Sequence, residues 1–293
     1  MTRSRVAITG VGAISAIGHT AADTWAAMVD ARSGIAPVQT PQPGPLRVGQ
    51  VAAVKDFDPA AHFAPRHLTQ LDRASQLALV SAREAVLQAG FVAGDLRGPR
   101  TAVVVGVGAG LQNTQDEQSQ RLYAQQQPGV HPLTIVRLMA NAPASQLSIE
   151  YGIEGPTFVV SSACASANHA MAIAMNLIRH GMVDVALAGG TDACLTYSTL
   201  KAWEAMRVLA PTACRPFCAE RQGLVLGEGA GVVVLESFEH ARRRGALPLA
   251  ELAGASMGAD AADLVFPSVD GAARAIAGAL DDAGLSPQAI GYI

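Results

Sequence analysis

Short runs of β-branched and apolar residues alternate along this chain with longer stretches in which apolar positions recur at helical spacing. The runs are RVAITGVG from Arg5, TAVVVGVGAG from Thr101, PTFVVSSA from Pro156, VDVALAGGTDA from Val183 and AGVVVLESF from Ala230. Val103-Val104-Val105 and Val232-Val233-Val234-Leu235 do not alternate with polar residues. Such strands are predicted to be buried on both faces, with helices covering both sides of the sheet. Between the runs the pattern predicts helices over 22–31, 68–90 and 166–179. The second aligns Leu71, Ala74, Leu77, Ala78 and Ala85 and stops at Gly90, and the third stops at Gly181. This alternation is α/β wiring.

A second cycle starts near residue 246, with a strand predicted over 249–257 and a helix over 269–284, before SPQAIGYI reads as the opening of a further strand. The expected organisation is therefore a complete first half, 1–245, followed by the incomplete opening of a second half, 246–293. Residues 37–53 hold four prolines by Pro45 and no helical period, which predicts an exposed loop or an extended edge.

Composition narrows this picture. Half of the 293 residues are hydrophobic and 15% are charged, enough to bury a sizeable core. Only 4% are aromatic, so that core is expected to rely on close approach of small-residue helices and strands. A net charge of −3 gives no basic surface for nucleic acid. No window approaches the roughly 18 consecutive apolar residues of a membrane span, and the N-terminus lacks a signal-peptide core, so the expected location is the cytoplasm. Cys164, Cys194, Cys214 and Cys218 show no disulfide-scaffold spacing and are expected to be reduced.

Cys164 is the candidate for chemistry. It stands where the run from Pro156 passes through small residues into the helix 166–179. The first turn of a helix gathers unpaired backbone N–H groups at the positive end of its dipole, a setting that favours a thiolate. A nucleophile on a strand-to-helix turn recurs in acyl transfer, and the backbone N–H of Cys164 is the obvious first oxyanion donor. Position alone fits a small buried hydrophobe equally well.

The flanking residues add a resemblance. GPTFVVSSACASANHAM resembles the active-site segment of the β-ketoacyl-acyl-carrier-protein synthases, condensing enzymes of the thiolase fold. Gly155 stands nine positions before Cys164, with Val160 and Ala163 before it and Ala165, Ser166 and Ala167 after it. VAITGVGAISAIG, NAPASQLSIEYGIEGP, ALAGGTDA and RPFCAERQGLVLGEGAGVVVLESFEHARRRGA resemble further landmarks of that family, in the same order, so the likeness extends from Arg5 to Ile293.

The resemblance implies a layered α-β-α-β-α thiolase-like fold, with the first half complete and the second truncated. It implies that Cys164 accepts an acyl group from a carrier-protein or coenzyme A thioester, and that a carbanion from a decarboxylated malonyl thioester then attacks the acyl-enzyme. It implies acyl carrier protein as a partner, a homodimer or a heterodimer with a related synthase, and no metal or redox cofactor. The family's two catalytic histidines and supporting lysine are expected beyond residue 293. His169 lies five residues after Cys164, more than a helical turn away, and is expected to be a helix-surface or core residue. His19, His62, His67, His131, His180 and His240 are expected in structural or solvated roles. Losing each oxyanion-type donor costs about 3–4 kcal/mol, so condensation is expected to be impaired. A non-condensing partner subunit, comparable to a chain-length factor, is the alternative, although such partners usually lack the cysteine.

Other departures are Cys218 and Gln222 at usually acidic positions, Leu224 for a phenylalanine, Asp263 for a histidine and Val265 for a hydroxyl residue. The glycines at 10, 12 and 18 and at 106, 108 and 110 miss dinucleotide-loop spacing and are read as close-packing positions. LGEGAG at 226–231 is read as bringing backbones together near Cys164. Cys214 and Cys218 lack a second ligand pair for zinc, and Arg242-Arg243-Arg244 is read as a solvated helix end.

Overall fold

The molecule is organised around one mixed, eight-stranded sheet, seen in a computed structural model that describes residues 4–38 and 44–293. Its strands are β1 (Val6–Ile14), β2 (Ala36–Pro37), β3 (Gln50–Ala52), β4 (Thr101–Gly106), β5 (Thr157–Val160), β6 (Val185–Ala193), β7 (Leu226–Ser237) and β8 (Ala250–Glu251). The long strand β7 is the spine. It pairs antiparallel with β6 on one side, from Val185↔Glu236 to Ala193↔Glu228. On the other side β1 runs antiparallel to it, with a register shift between Ile8 and Gly10, and β3 lies parallel to its first residues. β4 lies parallel to β6 and β5 parallel to β4, which leaves β5 at one edge of the sheet.

The non-alternating apolar runs are buried on both faces, as their sequence predicts. Val103, Val105, Leu187, Val232 and Val234 share one core with the Arg73–Gln88 helix. Ala102, Val104, Ala186, Ala188 and Leu235 share the opposite core with Met175 and Ile178 of the Ser166–Arg179 helix. The result is an α-β-α sandwich, with elements of 250–293 against its second face. Arg179 ties those elements down through Asp282, at 2.7 Å, and the Ala253 carbonyl, at 2.7 Å.

Close-packing glycines bring the first helical layer down onto β1. A Cβ on Gly12 would stand 1.9 Å from the Ser81 carbonyl oxygen, so only a residue without a side chain lets the Arg73–Gln88 helix approach. Ser81 Oγ then donates to the Gly12 carbonyl at 2.7 Å. Asp72 caps that helix by accepting the Ala74 N–H, and its other oxygen accepts from Thr114 N and Oγ1.

Several elements differ from the sequence-based expectation. The helix predicted over 68–90 is two pieces, Pro65–Leu68 and Arg73–Gln88, because Asp72 starts a new helix. The strand predicted over 249–257 contracts to β8, since only Ala250 and Glu251 find β1 to pair with. SPQAIGYI forms a 3-10 turn at Pro287–Ala289 and no strand among the described residues. The proline-rich segment contributes the β2–β3 edge hairpin, while its residues 39–43 lie outside the described residues. Helices at Gln112–Ser119, Thr134–Leu138 and Tyr197–Ala205 had no apolar stripe to announce them. Arg244 departs from its solvated reading, because its guanidinium turns inward onto the fully buried Glu236.

Candidate active site

β5 ends at Val160, and after five intervening residues the Ser166–Arg179 helix begins. The connecting turn is tight. Ala163 takes φ 49°, a conformation that alanine rarely adopts and that persists only where the surroundings over-determine it. Ser166 supplies that surrounding: its Oγ accepts the Ser162 N–H at 2.8 Å and donates to the Ala163 carbonyl at 2.6 Å. The backbone closes the same turn through Ala165 N to Ser162 O and Ser166 N to Ala163 O, each 3.1 Å.

Cys164, the next residue, is exposed, which removes the core-filler reading of its position. Its backbone N–H donates to no group among the described residues. A free donor and a thiol thus lie together at the positive end of a fourteen-residue helix.

Two glycines set the depth of this arrangement. A Cβ on Gly106 would stand 2.3 Å from the Ser166 carbonyl carbon and 2.4 Å from the Ala167 nitrogen, and one on Gly190 would stand 2.8 Å from Ala167 Cβ. The start of the helix therefore rests directly on the backbones of β4 and β6. In front of it opens a cleft of about 240 Å³ lined by Ala163, Cys164, Gly190, Asp192, Gly229 and Gly231. The 226–231 segment meets its expectation of bringing backbone close to Cys164, and it does so as the first half of β7.

Asp192 is the charged side chain of this cleft. Burial pushes its carboxyl above the ordinary range, against the opposing effect of the Ala109 and Gly108 N–H groups that it accepts. The remaining cysteines differ sharply from Cys164. Cys194 is buried, and burial, with the charges of Asp192 and Glu228, pushes its thiol up to about 11. Cys214 is exposed and Cys218 half-buried, and both lie outside the cleft.

The structure brings one histidine to the Cys164 turn. His169 Nδ1 bonds Ser162 Oγ at 2.7 Å, so its ring braces the turn and does not line the cleft. His19 Nε2 bonds the Lys55 carbonyl, His180 Nδ1 the Asn176 carbonyl and His240 Nδ1 the Glu236 carboxylate. A larger cavity of about 540 Å³ surrounds the Arg73–Glu228 ion pair and contains neither cysteine nor histidine among the described residues. Among those residues no cluster of three or more His, Cys, Asp or Glu could hold a metal ion, and no helix is long and apolar enough to cross a membrane. Sequence reasoning passed over Asp192 and the bracing roles of Ser162, Ser166 and His169. A hydroxyl two residues after Cys164 was visible, but the partners of Asp192 are remote in sequence.

Comparison with known proteins places this geometry in a family. Residues 3–241 match the profile described as "Beta-ketoacyl synthase, N-terminal domain". Nodulation protein E from Rhizobium sp. (strain N33) is 43% identical over 289 residues, an alignment that covers 99% of this chain and 72% of that protein. The 3-oxoacyl-[acyl-carrier-protein] synthase 2 of Staphylococcus aureus (strain N315) is 33% identical, with the same coverage of 99% and 72%. Among solved structures, "The ishigamide ketosynthase/chain length factor" superposes with a TM-score of 0.91 at 33% identity, again over 99% of this chain and 72% of that one. The profile spans most of the chain and carries the Cys164 turn within it, and with these relatives it shows that the chain belongs to the β-ketoacyl synthase family.

Proposed function

We propose that the chain works as an acyl-accepting ketosynthase, with Cys164 as its nucleophile. Cys164 Sγ attacks the carbonyl carbon of an acyl thioester, the carbonyl oxygen takes negative charge, and collapse expels the carrier thiolate, which takes up a proton. The observation that carries this reading is the exposed Cys164 on a strained, braced turn, its own backbone N–H without a hydrogen-bond acceptor among the described residues. In this reading that N–H serves as the first oxyanion donor, and one such donor lowers the barrier by about 3–4 kcal/mol. Charge at the helix end assists both the thiolate and the oxyanion.

The acyl donor in this reading is a carrier-protein thioester, in keeping with the name of the Staphylococcus relative. The acyl-enzyme then meets a malonyl-derived carbanion in decarboxylative condensation. No histidine lines the cleft among the described residues, so these residues support the acylation half-reaction more directly than condensation. A second reading, a partner subunit that does not condense, is favoured by the ketosynthase/chain length factor likeness and opposed by the presence of Cys164.

Incubating the chain with an acyl-carrier-protein thioester, followed by intact mass and peptide mapping, tests the proposal. An acyl adduct on Cys164 that is absent from C164A supports it. Absence of any adduct, together with co-purification with a complete synthase, decides for the partner subunit.

A further inference from the structure

Asp192 closes β6 beside the Cys164 cleft, opposite Gly229 of β7. A carboxylate at this depth is costly unless its charge is met. Its two oxygens are met by consecutive backbone amides: Gly108 N at 2.8 Å from Oδ2 and Ala109 N at 2.9 Å from Oδ1. Adjacent N–H groups converging on one anion form a nest, and here the anion belongs to the protein itself.

The loop held in this way lies against the turn that carries Cys164. A Cβ on Gly108 would stand 3.1 Å from Asp192 Oδ2 and 3.0 Å from the Ala163 carbonyl oxygen. Gly106, at the other end of the loop, abuts the backbone of Ser166 and Ala167. Close approach therefore runs from Asp192 through Gly108 to Ala163, and each step after the carboxylate is backbone. Ala163 is the left-handed residue immediately before the thiol, so a small movement of the loop changes the direction in which Cys164 points.

We propose that Asp192 is the positioning residue that fixes the pose of Cys164, by clamping the loop after β4 against the strained Ala163 turn. The inference rests on the reading of Cys164 as the acyl-accepting nucleophile and names the group that aims it. Asp192 itself does not touch the reacting atoms. Its charge strengthens both amide bonds, because hydrogen bonds to an ionised acceptor are shorter and stronger than neutral ones.

The test uses the full chain and the thiol reagent 4,4′-dithiodipyridine, with modification resolved by peptide mass mapping. Exposed Cys214 serves as an internal reference outside the cleft. In the unsubstituted protein Cys164 is expected to react faster than Cys214. Asp192→Ala is expected to slow Cys164 about tenfold with Cys214 unchanged, the size of a lost charge-assisted hydrogen bond. Asp192→Asn keeps one amide acceptor without the charge and is expected to restore part of the rate, leaving a deficit of about threefold. Circular dichroism and cooperative thermal unfolding verify the fold of each variant, and where Asp192→Ala does not fold, the Asn variant decides. A Cys164 to Cys214 rate ratio unchanged in folded variants overturns the inference and leaves the nucleophile reading standing. An unsubstituted protein in which Cys164 reacts no faster than Cys214 overturns the nucleophile reading, and the inference with it.

Discussion

Glu236 is fully buried on β7, and three side chains converge on it: Thr9 Oγ1, His240 Nδ1 and the Arg244 guanidinium. Burial alone would push its carboxyl up, yet the hydrogen bonds from Arg244, Thr9 and His240 outweigh that effect and hold it below the ordinary carboxylate range. A carboxyl depressed in the folded state contributes stability that is complete above its unfolded value, about 4.3, and is lost as pH falls through the folded value. Thermal unfolding followed from pH 7 to pH 3 should therefore show an acid-side decline that Glu236→Gln flattens. At pH 7 the same variant should lose about 3 kcal/mol, the cost of leaving a largely buried guanidinium without its counter-charge. Parallel pH profiles for the two proteins would sink this account. Arg244 also lies over the Phe91 ring at 3.9 Å, so its side chain stays inward for packing as well as charge. The sequence could not announce any of this, because a triple-arginine helix end reads as solvated until β7 places Glu236 beneath it. The setting of Cys164 was legible for the opposite reason: its strand, its turn and its helix are contiguous in the chain.

Among the elements, the Ser166–Arg179 helix has the most exacting seat. Its first turn lies on Gly106 with no room for a methyl group, and Ser166, 3% exposed, braces the turn before it. Gly106→Ala is expected to force the helix start away from β4 and to cost about 1–3 kcal/mol, the usual penalty of overpacking. Chemical denaturation measures that cost. The same substitution should slow acylation of Cys164 beyond what the loss of stability explains, because the displaced residues carry the thiol. Ser166→Ala removes two hydrogen bonds without crowding and should cost about 1 kcal/mol. Equal and full acylation rates in both variants would show that the seat of the helix does not set the chemistry. Element prediction succeeded where burial dictates the pattern, as in β4, β6, β7 and the helices at Arg73–Gln88 and Ser166–Arg179. It failed for Gln112–Ser119, where the QNTQDEQS stretch buries only Thr114 and Gln118 and is fixed instead by Asp72 accepting from Thr114. It overextended β8, because an apolar run becomes a strand only as far as a neighbour is present to pair with it.

At the scale of the whole molecule, the sheet ends at β5, one side of which pairs with no strand among the described residues. All four residues of β5 are half-buried, and an open strand edge of this kind is a template for pairing with another chain. The segment that precedes it exposes several large apolar side chains, among them Tyr123 at 78%, Ile135 at 64% and Val136 at 51%. Exposed apolar groups of this size are a cost to an isolated chain and a driving force for association. If the homodimer expected from the family resemblance forms through this side, β5 lies at or near the contact. Light scattering at micromolar concentration should then report twice the 30.1 kDa chain mass. Combining Tyr123→Asp with Ile135→Asp places charge on two exposed positions, so it should dissociate the dimer with little change in far-ultraviolet circular dichroism. It should also reduce the acylation rate of Cys164, since the β5 edge and the thiol turn are continuous in the chain. A monomer at all concentrations, or a dimer indifferent to both charges, would move the contact elsewhere and leave the β5 edge to a different partner.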